Sequence, residues 1–332
     1  MSAVEQRAVA SDEADIRLDR WFKRHFPSLG HGHLQKLLRT GQVRIDGKRA
    51  QANARLAEGQ LIRVPPLGAA ESVDLKPPPK PRQQDAQELR AMILHEDDAL
   101  IALNKPAGLA VQGGSKTKRH IDGMLLSLAP KGERYRLVHR LDRDTSGLLV
   151  IAKTASSAAK LSKAFQRHEV QKLYWALVAG LPPLEHGIID KALSKGVVDK
   201  RFGADFELVQ AGGDGAQKAT TRYRTIARAG KLSAWLALQP LSGRTHQLRV
   251  HCALMDCPII GDPKYGGPKA VPAGAPRTLM LHARELDLPH PDGGRLTLEA
   301  PLPDTMRLGF AWIGFEPDPT LSGARLVDFE EL

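Results

Sequence analysis

Apolar positions along the chain follow two periods, and the change from one to the other divides it. Over 16–26, Leu18, Trp21, Phe22 and Phe26 recur three or four residues apart, which puts them on one face of a helix. A second short helix is predicted over 31–40. Leu34, Leu37 and Leu38 face inward, Gln35, Lys36 and Arg39 face outward, and Gly41 stops it. VRIDGKRA then alternates through Val43 and Ile45 into Asp46-Gly47, the pair that a two-residue hairpin turn favours. LIRVP (61–65) supplies another strand. Two small helices and a hairpin make a compact module over 15–65.

Prolines 65, 66, 77, 78, 79 and 81 follow, a density that excludes a packed helix and favours an extended spacer, so 66–91 is predicted as a linker. From 92 to 315 the short-strand pattern dominates. ALIALNKP (99–106), GLLVIAK (147–153), KLYWALVAG (172–180), LSAWLALQPL (232–241), RTLMLHARELDL (277–288) and RLTLEAP (295–301) read as strands, and helices are expected at 155–167 and 245–256. Strands outnumber helices without alternating regularly with them. The predicted class is α+β, on a mixed, largely antiparallel sheet. Residues 316–332 read as an acidic tail.

A length of 332 residues accommodates two such domains. No apolar run approaches a membrane span. The N-terminal MSAVEQRAVASDEAD lacks the pattern of a secretory signal. Two cysteines, Cys252 and Cys257, cannot make a disulfide framework. A cytoplasmic protein is expected, with a monomer as the default. Charge adds more. Of the net +11, about +8 falls within 16–64, where eleven Lys/Arg face only Asp19, Asp46 and Glu58. So local an excess favours a polyanion, above all nucleic acid, over a basic surface kept for solubility.

The candidate chemistry lies in HRLDRDTSGLLVIAK (139–153). Asp142 sits between YRLVHRL, which approaches as a strand, and a buried strand that leaves, with Thr145, Ser146 and Gly147 suited to a tight turn. These residues alone leave two readings open: a carboxylate held rigidly for catalysis, or a turn cap beside solvated Arg140 and Arg143. A metal site is disfavoured. Asp142-Arg143-Asp144 is short and flanked by arginines, His246 and His251 lie five apart, and Cys252 and Cys257 lack zinc-site spacing.

RLDRWFKRHFPSLGHGHLQKLLRTGQVRIDGKRA resembles an S4-type RNA-binding domain, which implies RNA contacts for Arg17, Lys23, Lys36, Arg39, Arg44 and Lys48. NKPAGLAVQGG (104–114), HRLDRDTSGLLVIAK, KLYWALVAG and SGRTHQLRVHCALMDCPIIGDPKYG (242–266), in that order, resemble the RluA family of pseudouridine synthases, whose signature is H-R-L-D-x-x-T-S-G-L. The resemblance runs from about 15 to 300. It implies isomerisation of uridine to pseudouridine in RNA, with no cofactor and no metal. Asp142 matches the essential aspartate, Arg249 the arginine that pairs with it, and Tyr174 the tyrosine packed on the uracil. Arg140 matches the arginine that enters the space left by the flipped base. Lys105 is either a phosphate contact or cover for a strand end, and is placed with the RNA-side residues. His139 is expected to hydrogen-bond a neighbouring strand. QGGSK (112–116) reads as an RNA-side loop, since it lacks P-loop spacing. The QGGS continuation is more similar to the C type of the family than to the D type, implying 23S rRNA or pre-50S particles as the partner. The alternatives are other rRNA or tRNA sites, or a non-catalytic S4-type ribosome-assembly factor, which the intact Asp142, Tyr174 and Arg249 set argues against.

Overall fold

The computed structural model describes residues 4–67, 83–113, 117, 119–130, 133–199, 206–321 and 324–329. The chain divides into compact units at 1–80 and 81–332.

In the first unit, strand β1 (Glu5–Ala8) precedes helices α1 (Leu18–His25) and α2 (His31–Arg39). The hairpin β2 (Arg44–Ile45) and β3 (Lys48–Arg49) follows, then β4 (Leu61–Val64). The strands pair in the order β1-β4-β2-β3, all antiparallel. Asp46 and Gly47 both take positive φ, 47° and 75°, as a primed hairpin turn requires. Leu18, Trp21, Phe22, Leu34, Leu37, Leu38, Val43 and Ile62 form one core, so the predicted helix faces are the buried ones. Glu13 is buried with them and accepts from Trp21 Nε1 at 2.8 Å and shares a 2.5 Å hydrogen bond with His25 Nε2. Burial pushes its pKa up, but the bonds from His25, Trp21 and the Ala10 amide outweigh that and lower it. β1 was not predicted, because EQRA carries no apolar alternation.

The second unit opens with α3 (Gln83–Ala91), which corrects the predicted linker. Leu89 of this helix is fully buried in the core with Leu100 and Leu103, so the segment is part of the second unit, not a spacer. Its apolar stripe is too thin to announce a helix. The expectation for Pro77, Pro78, Pro79 and Pro81 falls outside the described residues.

The strands that follow are β5 (Ile93–Glu96) and β6 (Leu100–Lys105), then, beyond the short α4 (Ile121–Met124), β7 (Arg136–Leu137) and β8 (Ser146–Ala152). Helix α5 (Ala155–Gln166) leads to β9 (Gln171–Ala179), β10 (His186–Asp190), the hairpin β11 (Leu193–Asp199) and β12 (Phe206–Ala211), β13 (Thr220–Ala229) and β14 (Ser233–Pro240). Helix α6 (Gln247–Leu254), β15 (Leu281–Pro289), β16 (Arg295–Glu299) and α7 (Asp304–Trp312) complete the regular elements. Ten strands form one sheet, in the order β10-β13-β14-β9-β15-β8-β6-β5, with β16 beside β15 and β7 beside β8. Among the described strands only β8 and β15 run parallel, so the sheet is mixed and largely antiparallel, as predicted.

Three details correct the sequence reading. YRLVHRL is extended only as far as Leu137; beyond it His139 Nε2 accepts the Val150 amide of β8 at 2.8 Å, replacing the missing ladder bond. RTLMLHARELDL is a strand only from Leu281. The acidic tail is anchored: Leu326 and Phe329 are buried in the core with Trp175 and Trp235, and Trp175 Nε1 donates to the Ala324 carbonyl at 2.8 Å.

Candidate active site

Asp142 sits on the loop between β7 and β8. The loop closes on itself where the Thr145 amide donates to the Asp142 carbonyl at 3.2 Å. It leaves into β8 through Gly147, whose φ is 108° and where an added Cβ would lie 2.2 Å from the Ala283 carbonyl oxygen. Only glycine lets β8 cross β15 this closely. Behind the loop, Lys105 is fully buried. Its ammonium donates to the carbonyls of Pro106, Leu109 and Arg143, each at 2.9 Å. Three donors meet three acceptors, so Lys105 has nothing left for a phosphate. This corrects its assignment as an RNA contact: Lys105 staples the Asp142 loop to the end of β6.

The Asp142 side chain is 20 % exposed and faces a cleft of about 540 Å³. Arg140, Lys172, Tyr174, His246 and Arg249 line the same cleft. Burial pushes the Asp142 pKa up; Arg249, Arg140 and Lys105 pull it down without cancelling that effect, and Asp144 adds to the rise.

Arg249 lies on α6 and is itself buried. Its fork is spent elsewhere: Nε and one terminal nitrogen each donate to Asp262 at 2.7 Å. The expected direct pairing with Asp142 is therefore absent here, and Arg249 acts on Asp142 only through its field. The reason lies in the GDPKYG turn. Gly261, with φ 76° and no room for a Cβ beside the Thr278 carbonyl, bends the chain so that Asp262 points at α6. Asp262 Oδ1 also accepts from the amides of Lys264 and Tyr265, so this carboxylate is fully used.

Tyr174 projects from β9 where the two large apolar clusters of this unit meet, packing against both. Burial first, and the Asp142 charge second, hold its phenol protonated far above the usual range. Lys172, two residues earlier on β9, also reaches the cleft, and burial lowers its pKa to about 8. Arg140 is exposed at the cleft wall, and exposed Arg143 bonds Asp144 at 3.0 Å. His246 caps α6 in a left-handed conformation, φ 53°, and its Nε2 lies 3.9 Å from Asp142 Oδ2. Its Nδ1 lies 2.6 Å from the Tyr265 hydroxyl. His251 turns away to Thr221 Oγ1 and the Lys191 carbonyl. Among the described residues no group of three or more His, Cys, Asp or Glu is placed to hold a metal ion.

Sequence reasoning thus found Asp142, Tyr174, Arg140 and Arg249 on one cleft. Lys172, Tyr265 and Asp262 are not among the residues the sequence singles out, although each lies within a family-like motif, and His246 stands out there only as a metal-ligand candidate. In the first unit, Arg17, Lys23, Lys36, Arg39, Arg44 and Lys48 are all exposed. Arg17 pairs with Asp19 at 2.6 Å, and Arg44 donates to the Gly41 and Gly47 carbonyls. Of QGGSK, residues 114–116 fall outside the described ones.

The RNA pseudouridylate synthase family matches residues 99–254. A Rickettsia typhi protein named ribosomal large subunit pseudouridine synthase C is 38 % identical over 292 residues, 87 % of this chain and 94 % of that one. A Vibrio cholerae protein of the same name is 34 % identical over 299 residues, covering 89 % and 92 %. Among solved structures, human RNA pseudouridylate synthase domain containing 4 aligns with a TM-score of 0.59 at 31 % identity, covering 70 % of this chain and 96 % of that one. The chain belongs to the RluA family of RNA pseudouridine synthases. Among the described residues no helix is long and apolar enough to cross a membrane.

Proposed function

We propose that this enzyme converts specific uridines of large-subunit (23S) rRNA to pseudouridine, acting in the cytoplasm as a monomer on free rRNA or pre-50S particles. The observation that carries the reading is the placement of Asp142, a mostly buried carboxylate, beside Tyr174 in a cleft walled by Arg140 and Lys172. The names of the relatives, large-subunit synthases, support the substrate class.

A duplex hides the glycosidic bond, so the target must leave its stack, at a cost of roughly a few kcal/mol that is least in loops and bulges. Arg140, exposed at the cleft wall, occupies the gap left behind. The flipped uracil lies on the Tyr174 ring, a flat surface on which it can turn. Asp142, in its ionised form, attacks the nucleotide or removes the 2′ proton. The N1–C1′ bond breaks, the uracil turns in place, and C5 bonds C1′. The C5 proton is lost and N1 gains one.

The first unit, which resembles an S4 domain, adds affinity through phosphates rather than choosing the base. Its outward cations, Lys23, Lys36, Arg39 and Lys48 with Arg17 and Arg44, support that role. A 23S transcript carrying tritium at uridine C5 tests the proposal. Wild type releases tritium and Asp142→Asn does not. Tight binding without release from wild type would support the non-catalytic assembly-factor reading instead.

A further inference from the structure

We propose that His246 is a second catalytic group: a neutral imidazole, fixed by Tyr265 with its proton on Nε2, that donates a hydrogen bond to the uracil as it detaches. The inference rests on the uridine-isomerising reading above. Its basis is a chain of contacts around Tyr265. The Val209 amide donates to the Tyr265 hydroxyl oxygen at 3.2 Å. Burial lifts the phenol pKa to about 12, so the hydroxyl keeps its hydrogen. Among the described residues the one acceptor in reach of that hydrogen is His246 Nδ1, at 2.6 Å. Nδ1 therefore accepts, and the single proton of the neutral ring sits on Nε2.

Nε2 is the nitrogen that faces the cleft, 3.9 Å from Asp142 Oδ2. That gap is too long for a direct hydrogen bond, and it leaves the N–H free for a substrate oxygen next to the carboxylate. Burial, with Arg249, Lys264 and Arg140 nearby, depresses the imidazole pKa to about 3. Neutrality suits the chemistry. A protonated ring would pair with Asp142 and blunt it. A neutral donor leaves Asp142 free and still steadies the negative charge that uracil acquires when the N1–C1′ electron pair stays with the base. The backbone indicates the same placement, since His246 is held in the left-handed region, a strained conformation that over-determined surroundings maintain. Those surroundings begin at Asp262, which binds the Tyr265 amide and Arg249 together. The Tyr265 hydroxyl is taken up by the Val209 amide and His246 Nδ1, so it acts on the substrate only through the histidine and its role is positioning.

Two measurements on the full-length protein test this. Nitrogen-15 NMR of labelled wild type should show the His246 proton on Nε2, and Tyr265→Phe should release that preference. A proton on Nδ1 in wild type would overturn the proposal. In the tritium-release assay, His246→Ala should lower kcat about 10²–10³-fold with little change in KM. His246→Gln, whose amide can reach the Nε2 position, should recover at least tenfold of that loss, and His246→Asn should not. Equal loss in the Ala and Gln variants at unchanged Tm, or an Ala variant within threefold of wild type, would refute it. The NMR reading needs no RNA. A wild type without synthase activity would therefore count against the functional reading, and the tautomer would still be decided.

Discussion

Lys105 Nζ and the backbone carbonyl of Arg143 lie 2.9 Å apart, which ties the end of one strand to the residue that follows the reactive aspartate. The same ammonium holds Pro106 and Leu109. Lys105→Met should therefore behave as a fold and turnover defect and not as an RNA-binding defect. Each carbonyl left without its donor costs about 1–3 kcal/mol, the penalty for an unsatisfied buried group. Denaturant unfolding should show that loss, kcat should fall, and the salt slope of RNA binding should not move. A reduced slope with unchanged stability would restore the phosphate-contact reading.

Asp142 should show opposite effects on stability and activity. Its pKa is raised in the folded protein, so the native state holds this proton to higher pH than the unfolded chain does. Ionised Asp142 therefore costs stability at neutral pH, and that loss is recovered as pH falls through the folded value. Asp142→Asn should abolish tritium release and raise Tm, on the order of a few degrees. In wild type, the acid limb of kcat/KM should lie above the ordinary aspartate range, because the ionised form reacts. An acid limb at or below that range would contradict the burial argument.

Arg249 and Asp262 form a buried bidentate pair, so neither is replaceable by charge alone. Arg249→Lys should lose the two-pronged contact and most activity. Asp262→Asn leaves the guanidinium poorly compensated and should cost about 3–5 kcal/mol, the range for breaking a buried pair. Thermal unfolding of both variants checks this. A neutral Asp262→Asn would mean that Arg249 has another partner.

Much of this was legible because local pattern and tertiary outcome agree. The α1 and α2 faces, the Asp46-Gly47 turn, and strands β6, β8, β9 and β14 all lie where periodicity puts them. Asp142, Tyr174 and Arg249 were found by motif and share one cleft. What failed to show depends on contacts far apart in sequence. A lysine reads as exposed unless three carbonyls are known to surround it, as they do Lys105. Asp262 is thirteen residues from Arg249 across a turn whose direction Gly261 sets. Leu326 and Phe329 sit in an acidic run too short to show a period, yet they complete the core around Trp175.

Two groups of cations should separate by what they do to binding. Lys172→Met, within the cleft, should raise KM and flatten the salt dependence by about one ion per site, and Lys172→Arg should restore both. Lys36→Ala with Arg39→Ala, on the first unit, should weaken binding to every RNA tested and also flatten the slope. Filter binding across a salt series distinguishes these from Lys105→Met. Unchanged slopes in both would remove phosphate contact from their roles.

The crossing at Gly147 has a wider consequence. The strands that meet there each belong to one wall of the cleft: β8 continues from the Asp142 loop, and β15 runs beside Tyr174. A single methyl at this point would act as a wedge, prising the molecule open along its central seam. The spacing between the acid and the phenol ring is thus set by a residue that touches neither, through the one hydrogen atom it carries in place of a side chain.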